Sequence, residues 1–544
     1  MTIAALDTLS PVETILAYHA RTKHTLARYA PGPETLDWDS QPDPFRVFVG
    51  APRVGLPLAA HRLETRFSQI FEAPPRPAAL NLESVALLLE LSFGLAAWKV
   101  FGPDRWALRC NPSSGNLHPT EVYALTAHVA GLADGLHHYV SRDHALEQRC
   151  RAPAQPGNPA RLWIGLSSVH WREAWKYGER AFRYCQLDIG HALGALRYAA
   201  GALGWSARVL EGRDAATLSA VMGLDRASDF SGAEQEDADV LVAIEPGPWP
   251  SGFDADAFSD RPLVGGDWAG HASVLDPRPL YRWPIIAEAS RATRATAMRP
   301  VPAALPPLPH LTGPGDAPAA EILLGRRSAQ RFDSRFEMPR AVFFRMLDAV
   351  MPRAVAPWDL WQRAPALHPV LFVHRVEGLV PGLYALPRSE AAGRALRAAL
   401  RADFVWEPVE GAPAHLPLVR LVHSDCRGVA RTVSCHQAIA SDGCFAMSML
   451  AEFEGAVRTD PSQYRQLHWE AGLLGHVLYL EAEVAGLRGT GIGCFFDDAL
   501  HELLGLTTLE FQTLYHFTVG RPLTDDRIAT LPAYEGRPPF PARG

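Results

Sequence analysis

The chain has few cysteines: Cys110, Cys150, Cys185, Cys426, Cys435, Cys444 and Cys494 are seven in 544 residues, with no C-x-x-C pair among them. A disulfide framework is not expected, and the spacing of Cys426, Cys435, His436 and Cys444 does not match the short cysteine pairs of structural zinc sites, so no metal is expected either. Positive charge is not in excess. Lysine and arginine number 52 against 59 acidic residues, a net charge of −7. A protein without a broad basic surface is a poor partner for nucleic acid or for an anionic membrane. No long apolar run is present: the stretch from Leu82 to Phe101 is broken by Glu83, Glu90 and Lys99 and reads as a buried helix rather than a membrane span. The first residues carry Asp7 and Glu13 where an export signal would need a basic and then an apolar segment, which gives a cytoplasmic expectation. What the chain does have is 48% hydrophobic residues, with 14 Trp and 23 Phe, enough to build sizeable cores over more than one domain.

Prolines concentrate between Pro300 and Pro318, among small residues. Helix and strand interiors reject proline, so this stretch reads as a linker dividing the chain into residues 1–285, a linker over 286–319, and residues 320–544. The two parts resemble each other. At an offset of 282, Asp188, Gly190 and Gly204 fall on Glu470, Gly472 and Gly486, inside two helical runs with small and apolar residues at helical spacing. At an offset of 250, Leu117-His118-Pro119 falls on Leu367-His368-Pro369, and at 247 Gly131 and Gly135 fall on Gly378 and Gly382. Short strands are expected over 121–127, 240–245 and 369–374. Long helices with short strands in each part indicate an α+β class, and the ordered matches point to a tandem duplication whose copies can pack as the subunits of a homodimer would.

Three segments carry residues suited to ligand binding. The turn Asn111-Pro112-Ser113-Ser114-Gly115-Asn116 offers short hydroxyl and amide groups ahead of a strand. Arg326-Arg327-Ser328 can bind a phosphate through charge-assisted hydrogen bonds. The glycine-rich stretch from Gly486 to Asp498, read as a loop between two helical runs, lets backbone approach a planar ligand. Its spacing lacks the third glycine of a dinucleotide fingerprint. His137-His138 reads as sheet surface, and Asp497-Asp498 as the cap of the helix that follows.

Taken together and in this order, these segments resemble the nitroreductase family, and within it the SagB/ThcOx type that includes azoline oxidases. The residues that carry the resemblance are Pro112 through Tyr123, Lys176 through His191, Arg326-Arg327-Ser328, His468 through Gly472, Gly489-Thr490-Gly491-Ile492-Gly493, and Val519 through Pro522. The resemblance implies two nitroreductase-like domains in tandem forming an intramolecular pseudo-dimer, with FMN between them. It implies that Arg326, Arg327 and Ser328 hold the FMN phosphate, that Pro112, Ser113, Ser114, Gly115 and Asn116 reach the flavin from the other domain, and that Gly489, Thr490, Gly491, Gly493 and Cys494 bring backbone near the reactive N5. Gln330 stands in the same segment where the family often has a third basic residue. Lys176-Tyr177 occupies the position of a pair implicated in proton removal in the azoline oxidases, and a partly desolvated lysine can act as such a base. A surface lysine beside a packing tyrosine is the plainer alternative.

The duplicated motifs are lost in a complementary way. The turn's counterparts are Gln362, Arg363, Ala364, Pro365 and Ala366, and the counterparts of Gly489, Gly491 and Gly493 are Ala207, Val209 and Glu211. In place of Arg-Arg-Ser the first part offers Arg21-Thr22-Lys23-His24. One composite site, and hence one FMN per chain, is expected, in a monomer whose substrate is a small molecule or peptide. The function expected is an FMN-dependent oxidoreductase that oxidises an azoline or related heterocycle. One alternative is an NAD(P)H-dependent nitroreductase or quinone reductase, and another is a flavin-free scaffold subunit of a modification complex.

Overall fold

The computed structural model describes residues 9–72, 74–153, 159–249, 263, 265–296, 303–309, 316–361 and 363–535. The first part of the chain contributes helices α1 (Pro11–Arg21), α2 (Leu82–Ser92), α3 (His170–Tyr177), α4 (Ala181–Ala202) and α5 (Pro284–Ala292). Its strands are β1 (Leu95–Phe101), β2 (Asp104–Arg109), β3 (Thr120–Ala127), β4 (Gly135–Val140), β5 (Ala145–Arg151), β6 (Arg161–Ser168), β7 (Trp205–Val209) and β8 (Asp237–Pro246). The second part supplies α6 (Ala319–Gly325), α7 (Arg340–Ala349), α8 (Gln463–Val484) and α9 (Asp497–Leu504). With them come β9 (Leu367–Val373), β10 (Gly382–Ala385), β11 (Val419–His423), β12 (Phe445–Glu452), β13 (Arg488–Ile492), β14 (Phe511–Gly520) and β15 (Ala529–Leu531).

Each part builds an antiparallel sheet, and the two sheets have the same strand order. The shared six strands run β5-β4-β3-β6-β8-β7 in the first and β11-β10-β9-β12-β14-β13 in the second; short edge strands, Arg53–Gly55 and Asp267–Trp268 in the first and Glu407–Pro408 in the second, add to these. Counted along each part, both read third, second, first, fourth, sixth, fifth. The inner strands β3, β6, β9, β12 and β14 are buried almost throughout, as strands covered on both faces must be. A third, small sheet joins the parts: β15, near the C-terminus, pairs with β1 of the first part, which pairs with β2.

The two long helices α4 and α8 pack on each other between the sheets, and apolar side chains of both belong to one core drawn from both parts, including Leu187, Leu193, Leu473, Leu474 and Val477. Their closest approach is backbone to backbone. A Cβ on Gly190 would lie 2.2 Å from the Trp469 carbonyl oxygen, and one on Gly472 would lie 2.1 Å from the Leu187 carbonyl oxygen. Gly472 and Trp469 are the residues 282 positions beyond Gly190 and Leu187. The repeated glycines are thus the crossing point, and each excludes any larger residue.

Several expectations change. The segment from Leu82 to Phe101 is not one helix: α2 ends at Ser92 and β1 begins at Leu95. The β-branched and aromatic residues past Gly94 favour a strand, and a Cβ at Gly94 would lie 2.5 Å from the Glu90 carbonyl oxygen, so the chain turns there. The segment given to a linker over 286–319 begins inside a helix, because α5 runs from Pro284 to Ala292 and packs on α1 and α4. Residues 297–302 and 310–315 of that segment lie outside the described residues. His137 and His138 are buried rather than on a surface. His138 bridges Glu121 at 3.0 Å and Glu147 at 3.1 Å, and although burial opposes it, these two carboxylates raise its pKa to about 9. Among the described residues no helix is long and apolar enough to cross a membrane.

In an open helix interior, Gly→Ala gains about 1 kcal/mol from propensity. At Gly472 the added methyl meets a carbonyl oxygen, so Gly472→Ala is expected to lower unfolding stability by about 1–3 kcal/mol. Denaturant unfolding measures it, and an unchanged or raised midpoint would contradict the crossing described here.

Candidate functional site

A cavity of about 700 Å³ opens between the two parts. It is lined from the first part by Lys99 of β1, the turn 111–116, and Tyr177, Tyr184 and Asp188; from the second come residues 326–330, Thr490 through Cys494, Tyr515, and residues 522–525 ahead of β15. The volume is that of a pocket for a cofactor or drug-sized molecule.

The turn owes its shape to left-handed backbone at Gly115 and Asn116, with φ of 59° and 60°. A Cβ on Gly115 would stand 2.5 Å from the Tyr177 hydroxyl, so only glycine serves there. The polar side chains of the turn bond inward. The Ser114 backbone N–H and hydroxyl both donate to Asp188 Oδ1 at 3.1 Å. Ser113 Oγ accepts the His118 N–H at 2.8 Å and donates to Glu173 at 3.4 Å, and the Asn116 amide donates to the Ala107 carbonyl at 2.9 Å. Ser113, Ser114 and Asn116 therefore line the cavity while holding the turn against α3, α4 and β2.

Behind them lie two buried carboxyls. Burial pushes Asp188 up to about 7, and pushes Glu173 well above the usual range with the Asp188 charge adding to it. Glu173 Oε2 is buried without a hydrogen-bond partner.

The opposite end is cationic. Arg326 is buried; its Nε donates to the Cys110 carbonyl at 2.8 Å and its Nη2 to the Arg109 carbonyl at 3.1 Å, so a second-part side chain is anchored on first-part backbone. Its remaining nitrogen, Nη1, is buried without a partner. Arg327 donates to the carbonyls of Leu324, Arg326 and Ala96, and burial, then the neighbouring Arg326 charge, lower its pKa to about 10. Lys99 and Arg488 complete the cluster. Burial and then the Arg327 and Arg488 charges lower the Lys99 pKa. Arg488 bonds Glu483 at 3.3 Å, and Glu483 is itself pushed up by burial. Mutually repelling cations around one cavity, with an unpaired guanidinium nitrogen, are suited to an anion such as a phosphate.

The stretch expected as a glycine-rich loop is instead strand β13, followed by a short connection into α9. Its glycines answer to aromatic rings: a Cβ at Gly489 would meet Phe517 at 2.6 Å, one at Gly491 the Tyr515 hydroxyl at 1.8 Å, and one at Gly493 the Tyr184 ring at 2.4 Å. Ser328 pairs with Gly489 along this strand. Ser328 Oγ lies 2.8 Å from the Tyr479 hydroxyl, which accepts the Gly491 N–H at 2.9 Å. Thr490 Oγ1 donates to the Ala329 carbonyl at 2.8 Å. Asp497 is no simple cap. It is buried in ion pairs with Arg180 at 3.0 Å and Arg183 at 2.9 Å and accepts the His24 N–H at 3.0 Å.

The structure thus gathers Pro112 through Asn116, Arg326 through Ser328, Gln330, Thr490, Gly491, Gly493 and Cys494 at one cavity, with Gly489 in the strand beside it. Tyr177 joins them. Lys176 does not line the cavity: its Nζ lies 5.4 Å from the Tyr177 ring and 5.5 Å from the Trp38 ring, and burial lowers its pKa. Arg21 through His24, expected in the place of Arg-Arg-Ser, have partners of their own: Arg21 pairs with Glu179 at 2.6 Å, Lys23 with Asp498 at 2.9 Å, and His24 lies along Phe496. Sequence reasoning missed Lys99, Arg488, Tyr184, Asp188, Tyr479 and Tyr515. Asp188 was marked only as half of a repeated pair with Glu470, and Arg488 lay unread inside the glycine-rich stretch.

Residues 395–521 match the Nitroreductase family. The match spans less than a quarter of the chain. Its range covers β13 and Cys494, but neither the Arg326 segment nor the turn at Ser113. A protein of Methanocaldococcus jannaschii described as a "putative nitroreductase" is 22% identical over 123 residues, which is 21% of this chain and 59% of that relative's length. A crystal structure of a protein from Anabaena variabilis with the same description superposes with a TM-score of 0.65 at 20% identity, over 94% of this chain and 99% of that one. The nitroreductase-like fold therefore extends over both parts of the chain.

Because the Asp188 pKa near 7 lies above the value of an exposed carboxylate, the folded protein holds that proton between about pH 4 and pH 7, and its contribution to stability falls as pH rises through this window. Asp188→Asn, in protein freed of small ligands, is expected to remove that slope and to be more stable than the parent above pH 7, at about 1.4 kcal/mol for each pH unit crossed. Thermal unfolding across pH checks this; parallel pH profiles for the two proteins would refute the buried-acid reading.

Proposed function

We propose that the protein is an FMN-dependent oxidoreductase of the nitroreductase superfamily, of the SagB/ThcOx dehydrogenase type, with one composite flavin site between two halves that arose by tandem duplication. The observation that carries this reading is the cavity in which Arg326, Arg327 and Arg488 of one half, with Lys99 of the other, lie opposite the Ser113-Ser114 turn. Bound there, FMN would supply two-electron exchange with a substrate. Arg326, through its unpaired Nη1, and Arg327, Lys99 and Arg488 would hold the phosphate, with Ser328 and Gln330 beside them. The turn 112–116 and the strand edge from Thr490 to Cys494 would enclose the ring between the halves. Tyr177 and Tyr184, packed edge to face at 4.7 Å, exclude water at that wall.

The counterpart position supports one site per chain. There the segment Trp358–Leu360 packs directly on β7, the mate of β13. Arg363 is ion-paired with Glu211 at 2.5 Å and Arg197 with Asp359 at 2.7 Å. Glu470, the mate of Asp188, is paired with the buried Arg388 and accepts the Ala366 N–H at 3.0 Å. These side chains pair with one another, whereas on the other side Asp188 and the cationic residues line the cavity.

We assign proton removal from an azoline or related heterocycle to Lys176-Tyr177, with the Tyr177 hydroxyl at the cavity and, behind its ring, the Lys176 amine, whose charged form burial disfavours. The purified protein is expected to be yellow, and its oxidised flavin band to persist when NAD(P)H is added without oxygen. Rapid bleaching would assign it instead to the NAD(P)H-dependent reductases, and a colourless protein that FMN cannot reconstitute would leave a scaffold role. Lys176→Met should retain flavin and lose at least tenfold in heterocycle oxidation; unchanged turnover would refute the base assignment.

A further inference from the structure

At the rim of the cavity three segments meet, of which the flavin assignment uses only the backbone at Cys494. The turn carrying Cys435 is fastened to the connection that follows β13 and carries Cys494 by two hydrogen bonds: the Phe496 N–H donates to the Val433 carbonyl at 2.8 Å, and the Gln437 amide donates to the Cys494 carbonyl at 3.0 Å. Cys435 and His436 both sit in left-handed backbone, φ 52° and 59°, a conformation that costs free energy in residues other than glycine. The third segment is His24, whose backbone lies along Phe496 and bonds Asp497 in both directions at 3.0 Å. His24 Nδ1 accepts the Ala30 N–H at 2.8 Å, which leaves the proton of the neutral ring on Nε2 as a donor.

The neighbouring Cys435 thiol, and after it the His24 ring, hold the Cys494 thiol below its usual pKa against the effect of burial, while Cys435 is pushed up by Cys494 in turn. Facing the pair are also Tyr29, Tyr177 and Tyr184, the guanidinium of Arg180 and the carboxylate of Asp497. Of the seven cysteines, Cys435 and Cys494 are the two partly exposed ones; the other five are buried. Cys494 lines the cavity. Two partly exposed thiols on segments bonded to each other, one of them lining a cavity, form the arrangement in which thiol–disulfide exchange proceeds.

We propose that Cys494 and Cys435 are a redox-active thiol pair that reduces small-molecule disulfides entering this cavity. The Cys494 thiolate attacks one sulfur of the disulfide, forming a mixed disulfide and expelling one thiolate. Cys435 then attacks Cys494 Sγ, its proton passing to the second departing thiolate. One disulfide bond is broken and one formed: the small molecule gains two electrons and the protein loses two. The proposal does not rest on bound flavin, so it can fail while the flavin assignment stands, and the reverse.

The native reduced protein treated with the aromatic disulfide DTNB tests it. The expected result is a fast phase releasing two equivalents of nitrothiolate, with no aryl group left on the protein and a Cys435–Cys494 linked peptide on mass spectrometry. Cys435→Ser should release one equivalent and keep the aryl group on Cys494, and Cys494→Ser should lose the fast phase. Both substitutions are near-isosteric, and native near-ultraviolet circular dichroism controls for folding. Two retained aryl groups on the parent protein, or a fast phase of parental rate in Cys494→Ser, would overturn the proposal.

Discussion

The contact between the backbones of α4 and α8 at Gly190 and Gly472 is the constraint on which the rest depends. Two carbonyl oxygens stand where a Cβ would be, so the helices cannot be moved apart or slid by one residue without losing the fit on both sides at once. Interiors packed this tightly transmit position rather than absorb it. Asp188 and Glu470, two residues before each glycine, are thereby fixed, and each accepts a backbone N–H from the segment ahead of a sheet strand, β3 or β9: Ser114 for one, Ala366 for the other. The turns inherit their places from the helix crossing, and the cavity inherits its walls from the turns.

At the two corresponding positions of this frame the residues differ. Glu470 has the buried Arg388 as partner, and the segments around it are drawn together by Arg363 with Glu211 and Arg197 with Asp359. Asp188 has hydroxyl and amide donors but no paired cation, and its pKa rises accordingly. The charge that is paired on one side is gathered at the far wall of the other, where Lys99, Arg326, Arg327 and Arg488 line the cavity. An anion at that wall relieves the repulsion among the four; without one, burial and like charge lower the pKa of Lys99 and Arg327.

Much of this was legible in the residues. The repeated Asp/Glu-x-Gly pair marked the helix crossing because its cause, exclusion of a Cβ, leaves a residue-type signature. The turn at Ser113 and the double arginine were legible for the same reason: small residues and paired guanidiniums are chemically distinctive. The glycine-rich stretch misled because glycine is more often a loop residue than a strand residue. Here it serves a strand, making room for Phe517, Tyr515 and Tyr184. Lys99 left no signal at all. It reaches the cavity only because β1 pairs with β15 from the far end of the chain, a long-range pairing that no local pattern announces. The buried His138 and Asp497 were misread as surface and cap because partners distant in sequence, Glu121 and Arg180, make their burial tolerable.

The central claim is that two like halves make one site between them. Denaturing the purified, FMN-saturated protein and counting released flavin against chains tests it most directly. The account gives one flavin per chain; a ratio near two would mean that the counterpart position opens and binds as well, and would contradict it.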